Sequence, residues 1–356
     1  MTACENIWEG FIIMRVKGVL AYISWSHVDI EHVSSKYIPK VGVIDRKSKE
    51  VVELEIEPGL KLSLTVLPQV YCLFKRSDDR YCLAPVLESH TEAIPYCKAC
   101  QNIVPSLRCL MGEPQCDIRE APRNAKCIES GFYRDVCMVP RYHYLLIYPF
   151  ERNTVYLKVG IERESVHPNR ILEQGASVVA IYAKTPNIWI GRKIEVYSKL
   201  FLEDFVGRSY EGLRVEHVSE KKKTAMMIER IIRRLGFMNY SLTSYLDVSI
   251  EEGQHDLLDK MITLAKRLAR ELAMKFSKYR LPKVKIVRSM EIYDVNRDLI
   301  KSRRTVELTS FKNGMELSGI VGGWIGSYLL LNDNGLLQIV DLRRMRGHLI
   351  EITLRR

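Results

Sequence analysis

The chain has 356 residues, 47% of them apolar and 27% charged, with a net charge of +11 and a pI near 9.1. That length exceeds one ordinary domain and suits two or three, and the composition excludes a disordered or collagen-like chain. The surplus of Lys and Arg favours a polyanionic partner, because each phosphate they neutralise releases condensed counterions. No apolar run reaches the roughly 20 residues needed to span a bilayer, and Glu5 and Glu9 interrupt what would be a signal core. The expectation is a cytoplasmic protein with no membrane partner. In that reducing compartment nine cysteines, six of them from Cys97 to Cys137, read as metal ligands rather than disulfides.

Residues 1–94 read as a β-rich N-terminal region. Short runs such as Lys61-Leu62-Ser63-Leu64-Thr65-Val66 and Val70-Tyr71-Cys72-Leu73-Phe74 are separated by Pro, Gly and Asp. Over 95–140 apolar content falls, Pro and Arg rise and periodicity disappears, so this knuckle needs something other than a core to hold it. Cys97-x2-Cys100 sets two thiolates at the bite of a zinc knuckle, where each sulfur sits about 2.3 Å from the ion. A second pair comes from Cys109 and Cys116 or from Cys127 and Cys137, and the pair left over would need further ligands from Cys72, Cys82, His90 or His143. Four thiolates leave no open position for water, so such a zinc is structural. Cys4 lies too far from the cluster in sequence to be counted with it.

Residues 141–218 return to strand-like runs, with Lys158-Val159-Gly160 as a turn and one short helix over 168–174. Pro168 suits the first turn of that helix and Gly175 the left-handed position after it. In the last stretch, 219–356, Glu220-Lys221-Lys222-Lys223 reads as a solvated helix start or linker, and Met226, Met227, Ile228, Ile231, Ile232 and Leu235 have helical spacing. The clearest helix covers 256–279, its apolar stripe opposed by Lys266, Arg267 and Arg270, which suit either a phosphate backbone or the helix dipole. Strands are expected over 284–287, 305–308, 328–331, 336–340 and 348–354, with Asn334-Gly335 as a hairpin turn. Gly322-Gly323-Trp324-Ile325-Gly326 reads as a bulged or twisted hairpin. There is no Walker loop, no Gly-x-Gly-x-x-Gly after a strand, no Gly-x-Ser-x-Gly and no His-Glu-x-x-His, so the machinery of the corresponding enzymes is missing.

Several motifs follow one another in a fixed order. Tyr96-Cys97-x2-Cys100, Cys109-Leu110-Met111-x2-Pro114-x-Cys116, Cys127 and Cys137-Met138-x-Pro140 lead into Tyr144-Leu145-Leu146. Lys158-Val159-Gly160-x2-Arg163, Arg170, Gln174-Gly175-Ala176 and Gly191-x3-Glu195 come next, and Gly319-Ile320-x4-Ile325-Gly326-x-Tyr328-Leu329 with Gly335 closes the series. The series resembles domain-of-unknown-function family 2797, with Ser106 standing where many relatives carry a further cysteine and Glu162 where threonine is usual. More distantly, the chain is similar to the GIY-YIG nuclease superfamily. That resemblance implies that Tyr144 deprotonates or positions water, Lys158-Val159-Gly160 forms the second motif, Arg170 stabilises charge on phosphate and Glu195 holds a divalent cation such as magnesium. Phosphate contacts would then come from Lys158, Arg163 and Arg170, joined by Lys266, Arg267 and Arg270. Each of these residues also has a plainer role: Tyr144 in a core, Gly160 in a turn, Arg170 paired with Glu173 or Glu164, Glu195 at the surface beside Lys193.

The expected architecture is α+β. It comprises a β-rich N-terminal region (1–94), a cysteine zinc knuckle (95–140), a small GIY-YIG-like α/β unit (141–218) and C-terminal helices with β-strands (219–356). The expected function is zinc-stabilised nucleic-acid binding, RNA ahead of DNA, with metal-dependent phosphodiester cleavage as its enzymatic form. The alternative is an inactive fold that docks a protein or ribonucleoprotein.

Overall fold

The computed structural model describes residues 12–30, 36–76, 79–86, 95–103, 107–110, 112–120, 123–151, 153–217, 255–296, 305–309 and 313–356. The basic run at 220–223, the helical pattern over 226–235, Cys4, His90 and Ser106 lie outside them. In chain order the strands begin with β1 (Ile12–Ser24), β2 (Lys40–Ile44), β3 (Val51–Glu55) and β4 (Lys61–Val70). The cysteine-rich stretch follows, with the short helices α1 (Lys98–Ile103), α2 (Leu107–Leu110) and α3 (Ala125–Glu129) and a π-helical turn at Tyr133–Cys137. Next come β5 (Arg141–Glu151), β6 (Thr154–Arg163), α4 (Asn169–Glu173), β7 (Val178–Thr185), α5 (Ile188–Glu203), β8 (Ser209–Tyr210) and β9 (Leu213–His217). The described remainder holds α6 (His255–Lys275), β10 (Arg280–Val287), α7 (Ser289–Ile292), β11 (Thr305–Thr309), β12 (Glu316–Ile325), β13 (Tyr328–Asp333), β14 (Leu336–Asp341) and β15 (His348–Arg355).

The molecule is mixed α+β, built on two sheets. One has nine strands in the order β11-β14-β13-β12-β4-β15-β1-β2-β3, and the other six in the order β10-β7-β5-β6-β9-β8. Strands from both ends of the chain therefore share the larger sheet. In β4 the alternation Leu62, Leu64, Val66 inward and Lys61, Ser63 outward gives the strand one buried face. Those residues pack with Val321 and Leu329 of the same sheet and with Tyr144, Leu146, Tyr148, Val179 and Ile181 of the smaller one, so the two sheets face each other across one core. The opposite face of the smaller sheet, Leu145, Ile147, Val178 and Ala180, is covered by α5 and α6 through Ile194, Leu202, Met261, Leu264, Leu268 and Leu272.

α6 starts and stops within a few residues of the expected helix, and a 3-10 turn at Ser277–Tyr279 occupies its expected end. Asn334 and Gly335 both adopt positive φ, 43° and 98°, and join antiparallel β13 and β14 as their sequence demands. The glycine-rich run is a bulged strand: the register of β12 against β13 shifts between Val321 and Gly323.

Two expectations are corrected. Residues 188–203 form a helix, not a strand, although Ile188, Ile194, Val196 and Tyr197 have strand-favouring side chains. Asn187 caps this helix by accepting from the Ile190 amide at 3.0 Å, and the buried positions 188, 191, 194, 198 and 202 follow helical spacing. The Lys158-Val159-Gly160 turn is instead the middle of β6, where Gly160 lies directly opposite Tyr144 on β5. A Cβ on Gly160 would stand 2.7 Å from the Tyr144 hydroxyl, so the ring occupies the space a side chain would need.

α4 is fixed from several directions. Its Asn169 side chain accepts from the Trp25 amide at 2.7 Å, Leu172 O accepts from the Tyr293 hydroxyl at 2.7 Å, and Glu173 O accepts from the Ser327 amide at 3.0 Å. Buried Glu162 adds a carboxylate, which accepts from the Arg170 amide and pairs with His167 at 3.0 Å.

Candidate metal centre and basic face

The chain leaves β4 through Tyr71 and doubles back through a hairpin. The Cys72 amide donates to Ala84 O at 2.9 Å, the Leu83 amide to Cys72 O at 3.1 Å and the Cys82 amide to Phe74 O at 2.9 Å. Tyr71, Leu73, Tyr81 and Leu83 seat this hairpin on Val19, Ala21, Ile44 and Leu349, the face of the larger sheet turned away from the central core. Its arms carry Cys72 and Cys82 toward Cys97 and Cys100 at the start of α1. Leu73 N–Pro95 O (2.9 Å) and an edge-to-face contact between Phe74 and Tyr96 (5.7 Å) hold that segment against the hairpin.

The four sulfurs of Cys72, Cys82, Cys97 and Cys100 all lie within 4.8 Å of one another, and Cys82 Sγ to Cys97 Sγ is 3.9 Å. A tetrahedral ion with sulfur bonds of about 2.3 Å requires sulfur separations of about 3.8 Å. The spacing is therefore that of a closed four-sulfur metal site. Cys82 ionises more readily than an ordinary thiol: burial opposes the thiolate, but the Ala84 amide, Cys100, Arg76 and Cys97 outweigh it and bring the pKa to about 7. Burial pushes Cys72 up to about 11, and burial with donation to its neighbouring sulfurs raises Cys100 as well. A cation among them would reverse that balance, because a coordinated thiol is held as thiolate.

The sulfurs brought beside Cys97 and Cys100 are those of Cys72 and Cys82, which spacing offered only as further ligands, and not those of the later cysteines. In the sequence Cys72 hides in an apolar run and Cys82 stands alone; the signal available was the polar stretch between them, rich in turn-favouring residue types. Among the described residues no other group of His, Cys, Asp or Glu meets the same closeness. Cys109, Cys116, Cys127 and Cys137 gather instead in a separate small core with Phe132, Val136, Ile188 and Trp189.

Tyr144 is fully buried, and its hydroxyl accepts from Gln174 Nε2 at 3.0 Å. Burial, the first cause, and the Glu162 and Glu195 carboxylates push its phenol well above the ordinary range, against the charge of Arg170. Lys158 is half-buried on β6 opposite Leu146, and Arg163 is half-buried at the end of the same strand. Arg170 reaches solvent from α4; desolvation works against its charge, and Tyr144, Glu173, Glu195 and Glu162 more than compensate. Glu195 sits on α5, across the smaller sheet from Tyr144, and its carboxylate is engaged by Arg192 at 2.7 Å and Lys199 at 3.4 Å. Tyr144, Arg170 and Glu195 thus share one electrostatic neighbourhood, with the phenol enclosed.

The strongest concentration of charge is elsewhere. From residue 260 to 288 the chain carries ten Lys or Arg against Glu271 as the sole acid. Lys266, Arg267, Arg270, Lys275, Lys278, Arg280, Lys283, Lys285 and Arg288 are exposed along α6 and β10, the strand that follows it at the edge of the smaller sheet. Aromatic rings lie among them: Arg267 is over Tyr210 at 5.2 Å, Lys275 over Phe201 at 5.2 Å and Lys278 over Tyr279 at 5.7 Å. Among the described residues no helix is long and apolar enough to cross a membrane.

Fold and site together define a two-sheet α+β protein with a four-cysteine cluster compatible with a zinc knuckle. The family described as a protein of unknown function, DUF2797, matches residues 59–350, and the chain belongs to it. No curated protein and no solved structure matches.

Proposed function

We propose that this is a zinc-stabilised nucleic-acid-binding protein of the cytoplasm that contacts single-stranded RNA, ahead of DNA, through α6 and β10. The observation that carries the reading is the run of ten cations against one acid over 260–288, nine of them exposed. Lysine-rich edge strands also discourage aggregation, but β10 alone would suffice for that, and the outward side of α6 extends the charge well beyond the edge. Rings interleaved with cations suit unpaired bases, which stack on them while phosphates meet Lys and Arg. Zinc is the ion that best fits four thiolates in a closed site, and its role there is structural.

The deciding measurement is anisotropy of a labelled single-stranded RNA across a salt series. Affinity should fall on log-log axes with a slope of about 0.7 per phosphate contacted, and reversing Lys266, Arg267 and Arg270 to Glu should flatten that slope by about 2. Binding undetectable at low salt would sink the proposal. Cleavage of GIY-YIG type, with Tyr144, Lys158, Arg170, Glu195 and a magnesium ion, draws on the shared neighbourhood of Tyr144, Arg170 and Glu195. The burial of Tyr144 favours binding over cleavage, and any magnesium-dependent cleavage should disappear in Arg170→Ala. The docking alternative draws on Val196, Tyr197 and Leu200, which α5 exposes at 41%, 61% and 52%.

A further inference from the structure

The cysteines left over from the four-sulfur centre do not scatter. Cys109 on α2, Cys127 on α3 and Cys137 at the end of the π-helical turn are buried in one small core, with Cys116 packed against it. None of the eight described cysteines is in a disulfide. The elements that carry Cys109, Cys127 and Cys137 are four or five residues long, too short to persist unaided, and among the described residues the other buried side chains of this core are Phe132, Val136, Ile188 and Trp189. Local bonds aim the sulfurs inward. Gly112, at φ 92°, turns the chain so that its amide donates to Cys109 O at 3.1 Å; Asn124 Oδ1 accepts from the Cys127 amide at 3.2 Å; Trp189 Nε1 donates to Cys116 O at 2.7 Å.

A second observation, independent of the sulfurs, points to negative charge at this place. Arg141 is 2% exposed, yet among the described residues no carboxylate pairs with it; its one hydrogen bond runs from Nη2 to Val136 O, and its Nε has no partner. A buried guanidinium without an anion is costly. Burial and the neighbouring Arg163 work against its charge, and the groups that favour it are Cys137 and Cys109. Four neutral thiols would leave Arg141 uncompensated. Four thiolates around a divalent ion carry a net charge of two negatives, and compensate it.

We infer that Cys109, Cys116, Cys127 and Cys137 form a second structural zinc site, for which Arg141 is the buried counter-charge. These four sulfurs do not meet the mutual closeness of the first centre, and a bound ion would draw them together. The inference does not depend on nucleic-acid binding.

The test uses the full chain as purified. Elemental analysis should find two zinc ions per chain, one in a Cys109→Ser/Cys127→Ser variant and one in a Cys72→Ser/Cys100→Ser variant. One zinc in the wild type, unchanged by Cys109→Ser/Cys127→Ser, would overturn the inference and leave the first centre standing. Should that variant aggregate, the wild type produced with cobalt decides. Tetrahedral thiolate–cobalt absorption equal to two ions per chain supports the second site, and absorption equal to one removes it.

Discussion

The space between the two sheets and the cysteine-bearing segments between Cys72 and Cys137 are held by different means. Between the sheets, Leu64, Val66, Tyr144, Leu146, Val179 and Leu329 meet as long alternating strands with their backbone groups paired in ladders. In the cysteine stretch the helices are four to six residues long and sulfur takes the place of leucine. The first region is stabilised by apolar area, which is forgiving of detail. The second has a four-sulfur cluster where a cation would fit, and on the zinc proposal it could lose its order while the first keeps it.

The largest effect should come from removing ligands. Cys97→Ser with Cys100→Ser should lower zinc content and cost the knuckle on the order of 10 kcal/mol of metal-coupled folding energy. Limited proteolysis should then cut between 72 and 137 while the β signal in circular dichroism still melts cooperatively. Loss of the whole sheet signal in that variant would show that the two regions fold as one.

A smaller effect probes the sheets. Gly160→Ala puts a Cβ into the Tyr144 ring and should cost about 1–3 kcal/mol by urea unfolding, as overpacking of a filled interior does. Tyr144→Leu in the same chain should return part of that loss. Strict additivity of the two substitutions would mean that the ring is not what excludes the side chain.

The smallest effect is one of pH. His143 is fully buried, bonded through Nε2 to Thr185 Oγ1 at 3.0 Å, and burial followed by the charge of Arg141 brings its pKa down to about 3. The unfolded imidazole titrates near 6.5, so between those values the unfolded chain holds the extra proton and stability drains away as pH falls. At about pH 5.5 the loss relative to neutrality is about 1.3 kcal/mol from this group. His143→Gln should flatten the acid limb of stability by one proton; an unchanged limb would show that other groups set it.

What could be read from the sequence follows the same division. β4, α6 and the β13–β14 turn announce themselves because alternation, helical spacing and Asn-Gly are local signals. α5 does not, because its isoleucines, Val196 and Tyr197 imitate a strand, and only Asn187 at its start marks the helix. The pairing of Cys97 and Cys100 with Cys72 and Cys82 is set by a hairpin lying on the outside of a sheet, and no spacing rule reaches across that distance. Arg141 and Glu162 are ordinary charged residues in the sequence; their burial, without a carboxylate for Arg141 and under α4 for Glu162, is visible only in the fold.

β15 lies between β1 and β4, and among the described strands it joins the β1-β2-β3 meander to the rest of the larger sheet. On the ribosome those strands are made long before their partner, since Arg15 pairs with Thr353. While the intervening residues emerge, the β1 edge that will receive β15 stays open, and unpaired edges invite the wrong neighbours. The burden of keeping the nascent chain out of trouble therefore falls on its first strands, and the charged residues Arg15, Lys17, Glu53 and Glu55 on β1 and β3 stand where such an edge is best guarded.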